Sequence, residues 1–252
     1  MNSNHSYAHL AQYYDRLMDQ DYHQWCDYLL KLCQRIDYCP KTVLELGCGT
    51  GNISILLATR GLKVTGVDFS EAMLEHAYRK ALVTDFDIVF ERQDIRELNV
   101  PGEYDLVVAA CDTLNYITME EHLASVFLSV HKHCRKDGVF LFDLNSEMKL
   151  REIYGNESYS ELHSDFAYFW DNSFDEDEKI CDMELTFFVQ EQDGVYKRVT
   201  EHHQQKLWRP ETIFKLANKT GWEIINYFGF LTFAEPNLDT ERWQFVARKI
   251  TI

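Results

Sequence analysis

A short β-type run, Val43-Leu44-Glu45-Leu46, leads straight into Gly47-Cys48-Gly49-Thr50-Gly51, and a helical pattern with Ile53, Leu56 and Leu57 on one face follows at once. Alternate glycines let the backbone bend sharply and approach whatever lies over it, and the helix behind the bend begins with unpaired N–H groups. The next apolar run, Lys63-Val64-Thr65-Gly66-Val67, ends on Asp68, seventeen residues past Gly51. An acid at the tip of a neighbouring strand can accept both ribose hydroxyls of an adenosine-type ligand. Strand, bend, helix, strand and acid together predict a nucleoside-cofactor site on an α/β sheet. The bend reads Gly-x-Gly-x-Gly, with Asn52 where the dinucleotide enzymes' Gly-x-Gly-x-x-Gly has its last glycine.

The flanking sequence extends that sheet. Residues 6 to 36 read as helical, with Leu10, Tyr13, Tyr14, Leu17 and Met18 at three- and four-residue steps and Pro40 closing the segment. Ser70 is placed to cap a helix whose apolar stripe is Met73, Leu74, Ala77 and Tyr78. Asp87 to Arg92 is strand-like and delivers Asp94, and Tyr104 to Ala110 is an unbroken apolar run of the kind buried on both faces of a parallel sheet. A helix over 119 to 134 and a turn at Asp137-Gly138 then lead into the strand Val139 to Leu144. Strands alternating with helices predict a doubly wound α/β fold.

From Gly155 to about Lys206 the period changes to two, as in Phe166, Tyr168, Trp170 and Met183, Leu185, Phe187, with a hairpin turn at Gln192-Asp193-Gly194. This predicts an antiparallel sheet over 155–206, inserted into a core of 1–154 and 207–252 whose residues 1–38 are helical. The α/β pattern resumes with a helix opened by Pro210, ended by Gly221, and strands near 222–231 and 241–250.

Charge and cysteine usage narrow the function. A net charge of −16 repels phosphate backbones, so neither a nucleic-acid groove nor an anionic-membrane binder is expected. Apolar runs such as Leu106 to Cys111 are too short to cross a bilayer, and residues 1–25 hold no signal-peptide stretch. Seven cysteines with no Cys-x-x-Cys pair point to reduced thiols and a cytoplasmic protein.

Glu45-Leu46-Gly47-Cys48-Gly49-Thr50-Gly51 followed by Val67-Asp68-Phe69-Ser70, with Arg92-Gln93-Asp94-Ile95 and Tyr104-Asp105-Leu106 beyond, resembles the paired signature of class I S-adenosylmethionine-dependent methyltransferases over about residues 40–145. The resemblance implies a Rossmann-like seven-stranded sheet with its last strand antiparallel, S-adenosylmethionine as cofactor and S-adenosylhomocysteine as product. It implies cofactor contacts at Glu45, Gly47, Cys48, Gly49 and Gly51 around the methionine portion. Asp68 would hold the ribose, Phe69 pack on adenine, Asp94 receive the adenine amino group and Ile95 meet the ring edge, with Cys111 and Asp112 beside the cofactor amino group. Lys136-Asp137-Gly138-Val139 departs from relatives that often carry two glycines there.

Within that family, an N-terminal helix carrying Tyr14-Asp15 and an antiparallel insertion after the fifth strand are similar to the small-molecule branch, including sugar amine and glycine N-methyltransferases. The resemblance implies that the helix and inserted sheet enclose acceptor and cofactor as a lid. Tyr14 is then the candidate contact and Tyr13 its competitor, against the alternative that both merely pack the helix down.

Methyl transfer is an in-line displacement in which orientation alone supplies roughly 7–11 kcal/mol. A base helps when the acceptor arrives protonated. His202 and His203 are the weak candidates, since alternate side chains on a strand face opposite ways and one of them could reach the pocket. Asn115 and Tyr116 are candidate acceptor-side residues. Asp112, Asp143 and Asn145 offer oxygen ligands of the kind magnesium takes, yet the small-molecule branch is usually metal-free and no metal is expected. Alternatives are an RNA or protein methyltransferase of the same fold, a non-catalytic S-adenosylmethionine-binding module, and an NAD-dependent oxidoreductase, for which no Tyr-x-x-x-Lys dyad exists. Acceptor identity, N- against O-transfer, and monomer against homodimer stay open on sequence.

Overall fold

Alternate residues of the apolar runs fall on opposite faces of one sheet, and each face has its own helices. The computed structural model describes residues 10–250 except 19 and 193. Strands β1 (Thr42–Leu46), β2 (Lys63–Asp68), β3 (Ile88–Arg92), β4 (Tyr104–Ala109) and β5 (Cys134–Asn145) pair in parallel, and β10 (Trp222–Gly229) and β11 (Arg242–Lys249) complete the order β10-β11-β5-β4-β1-β2-β3. The last strand, β11, is antiparallel to both its neighbours. Val43, Leu106, Val108 and Leu141 pack on α2 (Tyr22–Arg35) and α3 (Asn52–Thr59) through Trp25, Leu29, Ile53 and Leu57. Leu44, Leu46, Val107, Phe140 and Phe142 face the opposite core with α5 (Glu120–His133) and α6 (Pro210–Lys219). At about 1.5–3 kcal/mol for each fully buried large apolar side chain, this two-sided burial explains why β4 reads as an unbroken apolar run.

The strand order turns back on itself between β1 and β4, and α/β sheets bind ligands in the crevice at the strand ends beside such a switch point. Around it, α4 (Glu71–Ala81) starts at the Ser70 cap, whose hydroxyl accepts from the Met73 N–H at 3.3 Å.

Two local expectations change. The helical stretch breaks into α1 (Leu10–Leu17) and α2, because the Asp21 carboxylate accepts from the Gln24 N–H at 2.9 Å and caps a new helix; residues 6–9 lie outside the described residues. The turn expected at Asp137-Gly138 is a bulge inside β5, which starts at Cys134. Tyr104 pairs with Cys134 and Leu106 with Val139, and Asp137 takes φ 60° to absorb the extra chain.

After β5 a π-helical turn, Met148–Tyr154, leads to an antiparallel four-stranded sheet of β6 (Ser158–Leu162), β7 (Phe166–Asp175), β8 (Ile180–Gln192) and β9 (Val195–Lys206). Asp193 of the expected hairpin turn lies outside the described residues. One face of this sheet buries Phe166, Tyr168, Met183, Leu185 and Phe187 against Leu10 and Tyr13 of α1 and Leu150 of the π-helical turn. These aromatics therefore make the sheet's own core, while Tyr196 is exposed. No helix among the described residues is long and apolar enough to cross a membrane.

Candidate cofactor and acceptor site

At the carboxyl ends of β1, β2 and β4 lies a cavity of about 330 Å3. Its floor is the glycine bend. Gly47 and Gly49 hold φ of 62° and 53°, a left-handed conformation that favours glycine. A Cβ on Gly49 would meet nothing within 4 Å, so the space above it is open, whereas one on Gly47 would come within 2.6 Å of Thr113. Gly51 does not line the cavity. A Cβ there would strike Phe90 and Ala77, so its constraint comes from packing rather than from a ligand.

Asp68 ends β2 with both oxygens directed at backbone. Oδ2 accepts from the Gly49 N–H and Oδ1 from the Ser70 N–H, each at 2.8 Å. Burial pushes this carboxyl up, and the N–H groups of Ser70, Gly49 and Phe69 draw it back down, leaving it above its ordinary value. The acid therefore shapes the bend as well as facing the cavity, and each oxygen keeps acceptor capacity for a ligand hydroxyl. Phe69, 42% exposed, lies on the cavity wall with the Arg92 guanidinium 5.5 Å from its ring centre. Asp94 and Ile95 line the far end. The Asp94 carboxylate is already bound by Arg96, through the backbone N–H at 2.9 Å and the guanidinium, and that guanidinium holds it below its ordinary value. Arg96 also lines the cavity; an acid and a base two residues apart at a strand end is the sequence signal that could have found it.

Glu45 and Cys48 stand outside the lining. Both are buried beneath the bend, and the Ser54 hydroxyl donates to Glu45. Burial, partly offset by Ser54, pushes the Glu45 carboxyl up to about 8, and burial likewise drives the Cys48 thiol well above its usual range. Raised above the unfolded value, the Glu45 carboxyl contributes stability that is complete below about pH 4.5 and lost as pH rises through about 8. Glu45→Gln is therefore expected to gain on the wild type by about 4 kcal/mol between pH 5 and pH 8.5, at ~1.4 kcal/mol per pKa unit. Urea unfolding at the two pH values checks this, and a constant difference would contradict it.

At the tip of β4, Cys111 and Asp112 both adopt left-handed φ, 57° and 52°, a costly conformation outside glycine. Cys111 lines the cavity; Asp112 does not. Its carboxylate turns instead to Arg242 at 2.8 Å and to Gln205, while its N–H donates to Asp143 at 2.9 Å. Arg242 also pairs with Asp143. The two acids considered as magnesium ligands thus share a guanidinium, and no group of three or more metal-ligating His, Cys, Asp or Glu side chains occurs among the described residues. Arg242 lies too far along the sequence from either acid to be paired with them beforehand.

The acceptor-side candidates separate. Tyr116 lines the cavity, whereas Asn115 is fully buried and bonds backbone, donating to Lys206 O and accepting from Asn145 N, each at 2.9 Å. Asn115 fastens the end of β9 to the end of β5 and is not an acceptor wall. His202 points to the outer face of the inserted sheet, its side chain 71% exposed and 3.6 Å from Glu184. His203 points inward and is buried, but does not line the cavity.

Tyr14 reaches the cavity, while Tyr13 packs on the inserted sheet against Phe166 with ring centres 4.3 Å apart and planes tilted by 38°. Burial raises the Tyr14 phenol well above its ordinary value, so it stays neutral. Next to it, Asp15 accepts from Thr50 Oγ1 at 2.7 Å, Asn52 Nδ2 at 2.9 Å and Lys80 Nζ at 2.8 Å. Burial alone would raise Asp15; these donors outweigh it and hold the carboxyl below its usual value. At its other end α1 is met by Glu201, which accepts from the Leu10 N–H at 3.1 Å. One short helix thus bridges the glycine bend and the inserted sheet. The sequence marks Asp15 only as half of the Tyr14-Asp15 pair, and Lys80 and Glu201 not at all, because their partners come together only in the fold.

Comparison with known proteins places these features in a wider group. A family described as a methyltransferase domain matches residues 43–138. A putative methyltransferase of Bacillus subtilis (strain 168), YqeM, is 32% identical over 245 residues, which is 96% of this chain and 97% of that one. The crystal structure of an S-adenosylmethionine-dependent methyltransferase from Clostridium acetobutylicum ATCC 824 superimposes with a TM-score of 0.87, at 29% identity and over 97% of this chain and 99% of that one. CalS10, an amino pentose methyltransferase from Micromonospora echinaspora solved with S-adenosylmethionine bound, shares the fold with a TM-score of 0.73, at 18% identity over 95% of each chain.

Proposed function

The chain belongs to the class I S-adenosylmethionine-dependent methyltransferases, and from that premise we propose that it methylates an N or O atom of a small molecule held between the glycine bend and the inserted sheet. When bound, S-adenosylmethionine supplies a methyl group activated by a sulfonium. The open floor over Gly49, the two Asp68 oxygens beside it and the exposed Phe69 ring fit the nucleoside. Aromatic faces attract cations, and Tyr14 and Tyr116 line the same cavity. On this reading Gly47, Gly49, Asp68, Phe69, Asp94, Ile95 and Cys111 contact the cofactor, while Glu45, Cys48, Gly51 and Asp112 hold those residues in place from outside the cavity.

The observation that carries the small-molecule reading is the roof. Tyr14 lines a cavity of about 330 Å3 opposite the glycine bend's open face, and its helix is anchored both at Asp15 and at Glu201. In our reading residues 155–206 and α1 form an acceptor lid on the core of 1–154 and 207–252. CalS10, whose fold is the same, is an amino pentose methyltransferase, which agrees with a small-molecule acceptor. A cytoplasmic setting belongs to the proposal too, because the seven cysteines are all free thiols and reducing compartments keep them so.

Thermal unfolding with S-adenosylhomocysteine and with NAD tests the proposal. At a hundred times its dissociation constant, S-adenosylhomocysteine is expected to stabilise the protein by about 2.7 kcal/mol, with no change from NAD. A screen with labelled methyl donor against small amines and alcohols, RNA and proteins then locates the acceptor. Stabilisation by NAD alone would overturn the cofactor; label in RNA or protein alone would overturn the acceptor class.

A further inference from the structure

Along β9, alternate side chains Glu201, His203 and Gln205 face inward and are buried. Gln205 joins the strand-end cluster, accepting from Asn145 Nδ2 at 2.8 Å and donating to Asp112. The other two make a separate arrangement. The Glu201 carboxylate lies 3.3 Å from His203 Nε2, with both side chains no more than 3% exposed. The His203 ring stands edge-on to Tyr116, ring centres 6.1 Å apart and planes at 84°. Tyr116 in turn lines the cavity. A carboxylate, an imidazole and a phenol thus run from the interior of the inserted sheet to the cavity wall.

Glu201 also accepts from the Leu10 N–H, but the cross-strand partners of the pair do not call for ionisable side chains. Across the strand pair, His203 faces Met183 and Glu201 faces Leu185, both apolar and buried. Replacing a buried ionisable pair in such surroundings by apolar residues is often neutral or stabilising. What the pair does offer is chemistry, since a carboxylate behind an imidazole orients the ring and supports its charged form.

We propose that Tyr116, His203 and Glu201 form the proton relay for the methyl acceptor; the proposal rests on the methyltransferase reading. As the acceptor atom bonds to the methyl carbon, the carbon–sulfur bond of the donor breaks and its electron pair stays on sulfur. The acceptor's proton passes to Tyr116 Oη while the Tyr116 proton passes to His203, and Glu201 balances the imidazolium. Once product leaves, the proton returns through Tyr116 to the open cavity. Tyr116 is the catalytic residue of the three, and His203 and Glu201 act through it. Among the described residues, His203 is faced by Glu201 on its own strand, the apolar Met183 from β8 and Tyr116 from the turn after β4. The relay suits acceptors that arrive with a proton to lose, a hydroxyl or an ammonium.

The test uses full-length protein with S-adenosylhomocysteine bound. His203→Gln is expected to keep its affinity within about threefold, the cofactor contacts being elsewhere. In 15N-histidine spectra, Tyr116→Phe should shift the His203 ring-nitrogen resonances, assigned by their loss in His203→Gln, more than those of any other histidine. With an acceptor from the labelled screen, Tyr116→Phe and His203→Gln should lower kcat by about 10²–10⁴-fold, and His203→Gln should remove the acidic limb of the kcat–pH profile. Normal binding of S-adenosylhomocysteine with His203 signals indifferent to Tyr116→Phe, or with the wild-type pH profile in His203→Gln, would overturn the relay alone. Failure of the wild type to bind S-adenosylhomocysteine would overturn the methyltransferase reading and the relay with it.

Discussion

Asp68→Ala is expected to weaken S-adenosylhomocysteine binding by at least about 100-fold. Hydrogen bonds to a charged acceptor contribute about 1.5–3 kcal/mol each, two ribose hydroxyls are at stake, and every 1.4 kcal/mol is about tenfold. The effect goes beyond two missing ligand contacts, because the carboxylate also accepts from Gly49 and Ser70. Without it the glycine bend loses the acceptor that holds its shape, and the β2–α4 junction loses another. Asp68→Asn separates the two contributions: its amide keeps one acceptor oxygen, so an intermediate loss is expected. Since burial raises this carboxyl, affinity should also begin to fall at a higher pH than an ordinary aspartate would give as the solution is acidified. Titration calorimetry decides the matter, and an Asp68→Ala protein that binds within threefold of the wild type would remove Asp68 from the site.

Arg242→Met should cost about 3–5 kcal/mol of folding stability at pH 7.5, the range for stripping one partner from a buried ion pair. The guanidinium, with its side chain 16% exposed, lies between Asp112 and Asp143, and the Asp143 side chain is 1% exposed. Burial, only partly offset by Arg242, pushes the Asp143 carboxyl up to about 6. Its contribution to stability is therefore complete below the unfolded carboxyl's ~4 and lost as pH rises through about 6. Removing the guanidinium enlarges that loss, so the variant should be closest to wild type near pH 5 and furthest from it near pH 8. Adding Asp112→Asn and Asp143→Asn should restore most of the deficit. Urea unfolding at both pH values measures this, and a deficit independent of pH would mean that shape and not charge holds Arg242 in place.

What could be read in the sequence was local. The glycine bend, the acid ending β2 and the Ser70 cap each depend on residues within one strand–helix–strand unit, so spacing alone locates them. The rest depends on contacts between distant segments. Arg242 meets Asp112 across 130 residues, and Leu10 meets Glu201 across 191. No periodicity records such pairs. The two histidines show a subtler limit: alternation says that His202 and His203 face opposite ways, but only the pairing of β9 with β8 decides which of them is inside. Asn115 beside Tyr116 misled for a similar reason. A polar residue near a ligand site and a polar residue fastening two strand ends look alike until the Lys206 carbonyl is in view. Glu45 sits in the motif yet serves beneath it, because a five-residue strand at the centre of a sheet points alternate side chains away from the cavity.

The alternation along β9 has a bearing on how this protein can change. Odd-numbered positions from 201 to 205 are engaged with three different parts of the chain, whereas Glu184, His202 and Gln204 look out into water. A variant library aimed at new acceptors would squander about half of its diversity if it randomised the strand contiguously, since the inward substitutions would unfasten the helix, the phenol or the strand-end cluster. Mutating only the even positions would leave the fold intact and the selectivity untouched, and so provides a ready set of sites for labels, tethers or surface charge.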